Sequence, residues 1–141
     1  METASPILAP VVALVAWSMI MWLWMYVTRL PAMFKAEMKP DPYAPRGEQM
    51  NTLPASVRWK ADNYNHLMEQ PTLFYAVALA LALLDQGDGS SLVMAWIYVG
   101  IRVVHSLVQA LINKIEVRFL LFMLSSLALA GLTLNAVRAV F

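Results

Sequence analysis

Cysteine does not occur in this chain of 141 residues. Its absence excludes a disulfide framework, a thiol nucleophile and a thiolate metal site. Charge is scarce too. Charged residues make up 13% of the chain, against about 25% in soluble domains. The net charge is +1, and no ten-residue stretch is strongly basic. No Lys/Arg cluster is interleaved with stacking aromatics, so the pattern speaks against a nucleic-acid partner. The N-terminus has no basic region ahead of its apolar run and no clear cleavage signal, so that run reads as a retained span. Neither an internal repeat nor a low-complexity tract is present.

What is abundant is apolar. Hydrophobic residues make up 60% of the chain, with ten Met and five Trp; about 45–50% is usual for soluble proteins. The apolar residues gather into four segments, at about 7–29, 63–84, 92–112 and 116–137. About 20 apolar residues in a helix cross a bilayer. The expected fold class is all-α: one integral-membrane four-helix bundle filling residues 1–141. Between the first two segments, residues 31–62 read as a polar loop, broken by Pro31, Pro40, Pro42, Pro45 and Gly47, with a short surface turn of helix at Phe34–Met38. Thr52 or Ser56 is the expected cap of the second helix, with Pro54 near its first turn. Pro71 cannot donate to the Leu67 carbonyl, so a bend or local opening is expected there. Asp85–Ser91 and Asn113–Lys114 read as turns, with Ser90 or Ser91 capping the third helix.

Orientation follows from flanking charge. Lys35, Lys39, Arg46, Arg58 and Lys60 lie in the first connection, and Lys114 and Arg118 lie near the third. The second holds Asp85 and Asp88 and no basic residue. The positive-inside rule places the first and third connections in the cytoplasm and both termini outside, which is the periplasm if the membrane is a bacterial inner membrane.

The second segment carries Asn63, Asn65, His66, Glu69 and Gln70, and the third carries Arg102, His105, Ser106 and Gln109. Ionisable groups at membrane depth usually mark an internal site. His66 and Glu69 are spaced i,i+3, as are Arg102 and His105; His105 and Gln109 are i,i+4, so each set can share a helix face. Glu69 and His105 each lie seven residues inside the same boundary, roughly 10 Å deep. Glu69 is therefore expected to pair with Arg102 or another cation. Either the pair only fixes helix register, or it belongs to a cytoplasm-facing cavity for a polar or anionic ligand. His105 has the chemistry of a general base. A metal site at His66, Glu69 and His105 is disfavoured by the Arg102 cation.

The stretch Asn65-His66-Leu67-Met68-Glu69-Gln70-Pro71 resembles the membrane-associated proteins in eicosanoid and glutathione metabolism, the MAPEG family. So do Tyr98-Val99-Gly100-Ile101-Arg102-Val103-Val104-His105 and the run Asn113–Arg118. With the four segments and the chain length, they suggest a bacterial-type member. The resemblance implies a trimer of four-helix subunits that binds glutathione between neighbours on the cytoplasmic side. A lipophilic substrate would enter from the bilayer, for conjugation or peroxide reduction. It implies ligand contacts from Asn65, Glu69 and Arg102, with Lys60 as a preceding basic residue. His66 and Gln109 join the same candidate cofactor-binding set, and His105 and Arg118 are the candidate catalytic residues. The residue four before Asn65 is Ala61, where conjugating members carry Arg. A second class stays open: a non-catalytic membrane protein whose polar cluster binds lipid or a small anion, or only stabilises an oligomer.

Overall fold

The computed structural model describes residues 3–141. It is helical throughout its ordered elements: α1 (Leu8–Lys35), a single 3-10 turn (Met50–Thr52), α2 (Ala55–Leu67), α3 (Pro71–Leu83), α4 (Gly89–Leu111) and α5 (Ile115–Val140). Three of these, α1, α4 and α5, are long and apolar enough to cross a membrane. The fourth helix of the bundle is discontinuous. It is α2 and α3 in series, broken at Met68–Gln70.

The break follows from Pro71. Without an N–H it cannot continue the ladder of α2, yet its fixed φ suits the first turn of a new helix. Pro71 accordingly opens α3. The expected single span at 63–84 is thus the last turn of α2, the break and the whole of α3, the two helices being 13 residues each.

Pro31 has no such effect. The first helix runs through it to Lys35, and the expected surface turn at Phe34–Met38 is the end of α1. A single proline in a last turn removes one ladder bond; the cluster Pro40, Pro42 and Pro45 is what keeps the chain from resuming. The helix closes on Glu37 in the left-handed region (φ 51°), with Met38 N–H donating to Met33 C=O and Glu37 N–H to Phe34 C=O. This is a Schellman end. Asp85 (φ 56°) ends α3 the same way, through Gln86 N–H to Leu81 C=O and Asp85 N–H to Ala82 C=O. The expected side-chain caps are not formed. Pro54 occupies the N-cap of α2 and Asp88 that of α4, neither with a side-chain cap bond. Ser90 and Ser91 instead accept hydrogen bonds from Asn135 Nδ2 on α5.

The most extensive packing is α4 on α5, followed by α1 on α2 and α2 on α4. Ile7, Leu14, Phe74, Leu81, Tyr98 and Leu132 are fully buried at the centre. The buried stripe of α4 reads Ser91, Ala95, Tyr98, Val99, Arg102, His105, Ser106, Gln109 and Ala110. Its spacing is that of one helix face, and from Arg102 to Gln109 its four buried residues are all polar.

Candidate functional site

Two stripes meet where α2 ends. His66 is in the last turn of α2, and Arg102 and His105 are in the middle of α4. Arg102 Nη2 lies 2.9 Å from His66 Nδ1 and 3.5 Å from His66 C=O. Arginine only donates, so Nδ1 is the acceptor and the His66 proton sits on Nε2. The guanidinium also stands at the C-terminal end of α2, where the helix dipole favours a cation. The imidazoles of His66 and His105 stack at 4.8 Å, and Phe122 meets His66 edge-on at 5.7 Å. The guanidinium carbon of Arg102 lies 6.0 Å from both the Tyr98 and Phe122 ring centres.

Arg102 is 0% exposed, and its Nε and Nη1 have no hydrogen-bond partner. A fully buried cation with two unmet donors is costly, and such groups are uncommon in native proteins. The expected partner, Glu69, does not fill the gap. It lies in the break between α2 and α3 with its carboxylate exposed, as is Asn65. Glu69 stands just before Gln70, the N-cap of α3, where the positive end of that helix dipole favours an anion. The broken helix thus sets a cation against one half-helix end and a carboxylate beside the other.

Gln70 completes the break. Tyr98 Oη donates to Gln70 Oε1 at 3.2 Å, and Gln70 Nε2 donates to Ser126 Oγ at 2.9 Å. Ser126 Oγ in turn donates a hydrogen bond to Phe122 C=O at 2.7 Å. Sequence reasoning missed these roles for Tyr98, Gln70, Ser126 and Phe122, although Tyr98 is four residues from Arg102 on α4, the spacing that puts the two on one face.

The other candidates lie toward the end of the bundle that carries the first and third connections. Lys60 Nζ donates to Ser56 C=O at 2.9 Å and Ala110 C=O at 3.4 Å, and sits 5.2 Å from the Trp24 ring centre. Burial lowers its pKa below the usual lysine range. Arg118 Nη1 donates to Asn113 Oδ1 at 2.6 Å, while its Nε is unpartnered. Gln109 is buried on α4 with Oε1 unpartnered. The structure therefore brings His66, Arg102 and His105 together. It leaves Asn65 and Glu69 on the outer surface of the same break, with Lys60, Gln109 and Arg118 nearer the helix ends. Among the described residues, no group of three or more His, Asp or Glu is placed to hold a metal.

Comparison with curated proteins and with solved structures returns no match. A family model does match, and over nearly the whole chain: residues 7–138 fit the model described as the MAPEG family. With three membrane-length helices, a fourth interrupted at a proline and a polar cluster at the interruption, this multi-pass membrane protein belongs to the MAPEG family.

Proposed function

We propose that this protein is a glutathione-dependent transferase or peroxidase that acts on a lipophilic electrophile at a cytoplasm-facing cleft between copies of a homotrimer. The observation that carries the reading is Arg102. It is fully buried with two N–H groups unmet, beside a break where Glu69 and Asn65 are exposed. An exposed carboxylate at that depth is unfavourable against acyl chains, and a neighbouring copy would cover it.

The residues fit the ligand class. Glutathione carries two carboxylates and one ammonium, and supplies a thiol that is nucleophilic once ionised. Arg102 offers the fork geometry suited to a carboxylate. Glu69 suits the ammonium, and Asn65 offers one donor and one acceptor beside it. Arg118, partly buried with an unmet Nε, is a cation suited to favour a thiolate over a thiol. Lys60 adds positive charge at the surface, and His66, His105 and Gln109 line the remainder. In the inner membrane, with both termini outside, this end faces the cytoplasm.

One observation favours a second reading. The Arg102–His66 contact already staples α4 to α2, so the cluster also suits a non-catalytic protein in which it fixes helix register or holds a lipid. Calorimetric titration of the detergent-solubilised protein with glutathione separates the two, followed by turnover assays with an aryl halide and a lipid hydroperoxide. Saturable heat and turnover are expected. A folded protein with neither would leave the stapling role.

A further inference from the structure

The end of the bundle that carries the acidic connection holds a second polar cluster. A cleft of about 380 Å³ opens there between the start of α4 and the end of α5, with Asp88, Ser90, Ser91, Asn135 and Arg138 among its walls. Ser91 and Arg102 are eleven residues apart on α4, roughly 17 Å, so this cluster is separate from the one at the break. Its depth follows from helix length. The 23 residues of α4 span roughly 34 Å, a little more than a hydrocarbon core of about 30 Å. The first turn of α4 and the last turn of α5 therefore lie at the level of the lipid headgroups.

The hydrogen bonding of the cleft leaves donors unspent. Asn135 Nδ2 donates to Ser90 Oγ at 3.1 Å and to Ser91 Oγ at 3.0 Å. Both hydroxyls are thus acceptors of that amide, and each keeps its own proton to donate. Neither proton has an acceptor among the described residues, although Ser91 is only 4% exposed, and buried polar groups ordinarily find partners. Arg138 lines the same cleft and forms no ion pair with Asp88 or any other carboxylate among the described residues. Asp88 makes no side-chain cap bond to α4 either. The helix dipoles account for an acid at the start of α4 and a base at the end of α5. They do not account for an amide that leaves two hydroxyls as donors in a cleft where both charges are unpaired.

A ligand that completes the cleft carries an oxyanion for Arg138 and the two hydroxyls, and a cationic N–H group for Asp88. Free phosphate meets the first need and is opposed by Asp88. The walls add a further requirement. On α5, Leu134 precedes Arg138 by four residues and Leu127 lies seven further in; on α4, Val93 and Ile97 follow Ser90 at three and seven. All four are exposed. Helical spacing thus continues each wall as an apolar strip that runs into the bilayer. We propose that the cleft is a binding site for a phospholipid whose headgroup bears both a phosphate and a primary ammonium group, with its acyl chains along those strips. The phosphate takes Arg138, Ser90 and Ser91, and the ammonium takes Asp88. The site requires no glutathione, so it stands or falls separately from the enzymatic reading.

Native mass spectrometry of the full, detergent-solubilised chain tests this, with phosphatidylethanolamine, phosphatidylglycerol or phosphatidylcholine titrated in separately. Phosphatidylethanolamine is expected to bind at least about tenfold more tightly than either of the others. Phosphatidylglycerol has no ammonium, and the choline ammonium has no N–H to give Asp88. Asp88→Asn should abolish the preference over phosphatidylglycerol, and Arg138→Gln should weaken phosphatidylethanolamine at least about tenfold. Both residues are exposed, so neither substitution threatens the fold. Glycerophosphoethanolamine, which has the headgroup but no acyl chains, should not displace the lipid at equal concentration. Displacement by it would overturn the assignment to a lipid. Equal binding of the three lipids by the parent, or a preference that survives both substitutions, would overturn the site itself.

Discussion

At the scale of single residues, Arg102 and Glu69 behave differently from the pair that their spacing suggests. Arg102 turns to an imidazole and a backbone carbonyl, and Glu69 faces outward. Glu69 therefore makes little contribution to the fold of one chain and a large one to any ammonium it binds. Glu69→Gln should leave the thermal midpoint of unfolding within a degree or two, because exposed substitutions shift stability by about 0.5 kcal/mol or less. Calorimetry should show glutathione affinity falling at least about tenfold, the loss of one charge-assisted hydrogen bond of about 1.5–3 kcal/mol. Unchanged affinity would remove Glu69 from the site. Lys60 predicts a pH dependence. Its pKa is lowered by burial, so between the folded and unfolded values the unfolded chain holds more protons. Stability should therefore rise with pH across that window. Chemical unfolding at stepped pH should show the rise, and Lys60→Met should flatten it. That the polar stripe of α4, with Arg102 and His105, would meet the polar end of the preceding segment was legible from helical spacing and depth; the level was set from Glu69, whereas His66 is the residue in contact. The true partner of Arg102 was not legible, because α2 ends at Leu67, so the i,i+3 spacing that would put Glu69 on the face of His66 does not hold beyond it.

At the scale of elements, the interrupted helix is the consequential feature. Proline chemistry foretold an opening near position 71, but not that the segment would end one 13-residue helix reaching back to Ala55 and begin another. Pro71→Ala restores a donor for the Leu67 carbonyl and removes the ring clash. The helix should then extend across Met68–Gln70. Amide hydrogen exchange at those three residues should slow at least about tenfold, the equivalent of about 1.4 kcal/mol of local protection. Glutathione affinity should fall with it, because the two half-helix ends no longer face Arg102 and Glu69. Exchange as fast as in the parent would show that the break is imposed by packing rather than by Pro71. The turns at Asp85 and Asn113 were legible because Asp and Asn tolerate the left-handed region that both adopt. The caps were not. Ser90 and Ser91 were committed to Asn135 on a helix more than 40 residues away, and local sequence cannot show such a partner.

At the scale of the whole molecule, the apolar content announced the membrane, and the long helices agree with it. Much of the outer surface is large and apolar: Val12, Met19, Leu23, Val27, Leu73 and Phe119 are all exposed in the single chain. Lipid or further copies cover such a surface. The sidedness read from the loops can be measured with single cysteines. Asp85→Cys in intact cells should react with a membrane-impermeant thiol reagent, and Lys114→Cys should react only after the membrane is opened. The reverse pattern would turn the protein, and the proposed cleft, to the other side. Gln70 then sets a limit on how the bundle can vary. Its amide oxygen faces the Tyr98 hydroxyl and its amide nitrogen the Ser126 hydroxyl, so one short side chain laces α4 and α5 to the gap between α2 and α3. Glutamate is nearly its isostere but has no N–H to offer. Gln70→Glu should keep the shape, but it places a carboxylate among apolar helices and draws the Ser126 hydroxyl off the Phe122 carbonyl, and so should lower the thermal midpoint, while Gln70→His, neutral and able both to donate and to accept a hydrogen bond, should lower it less.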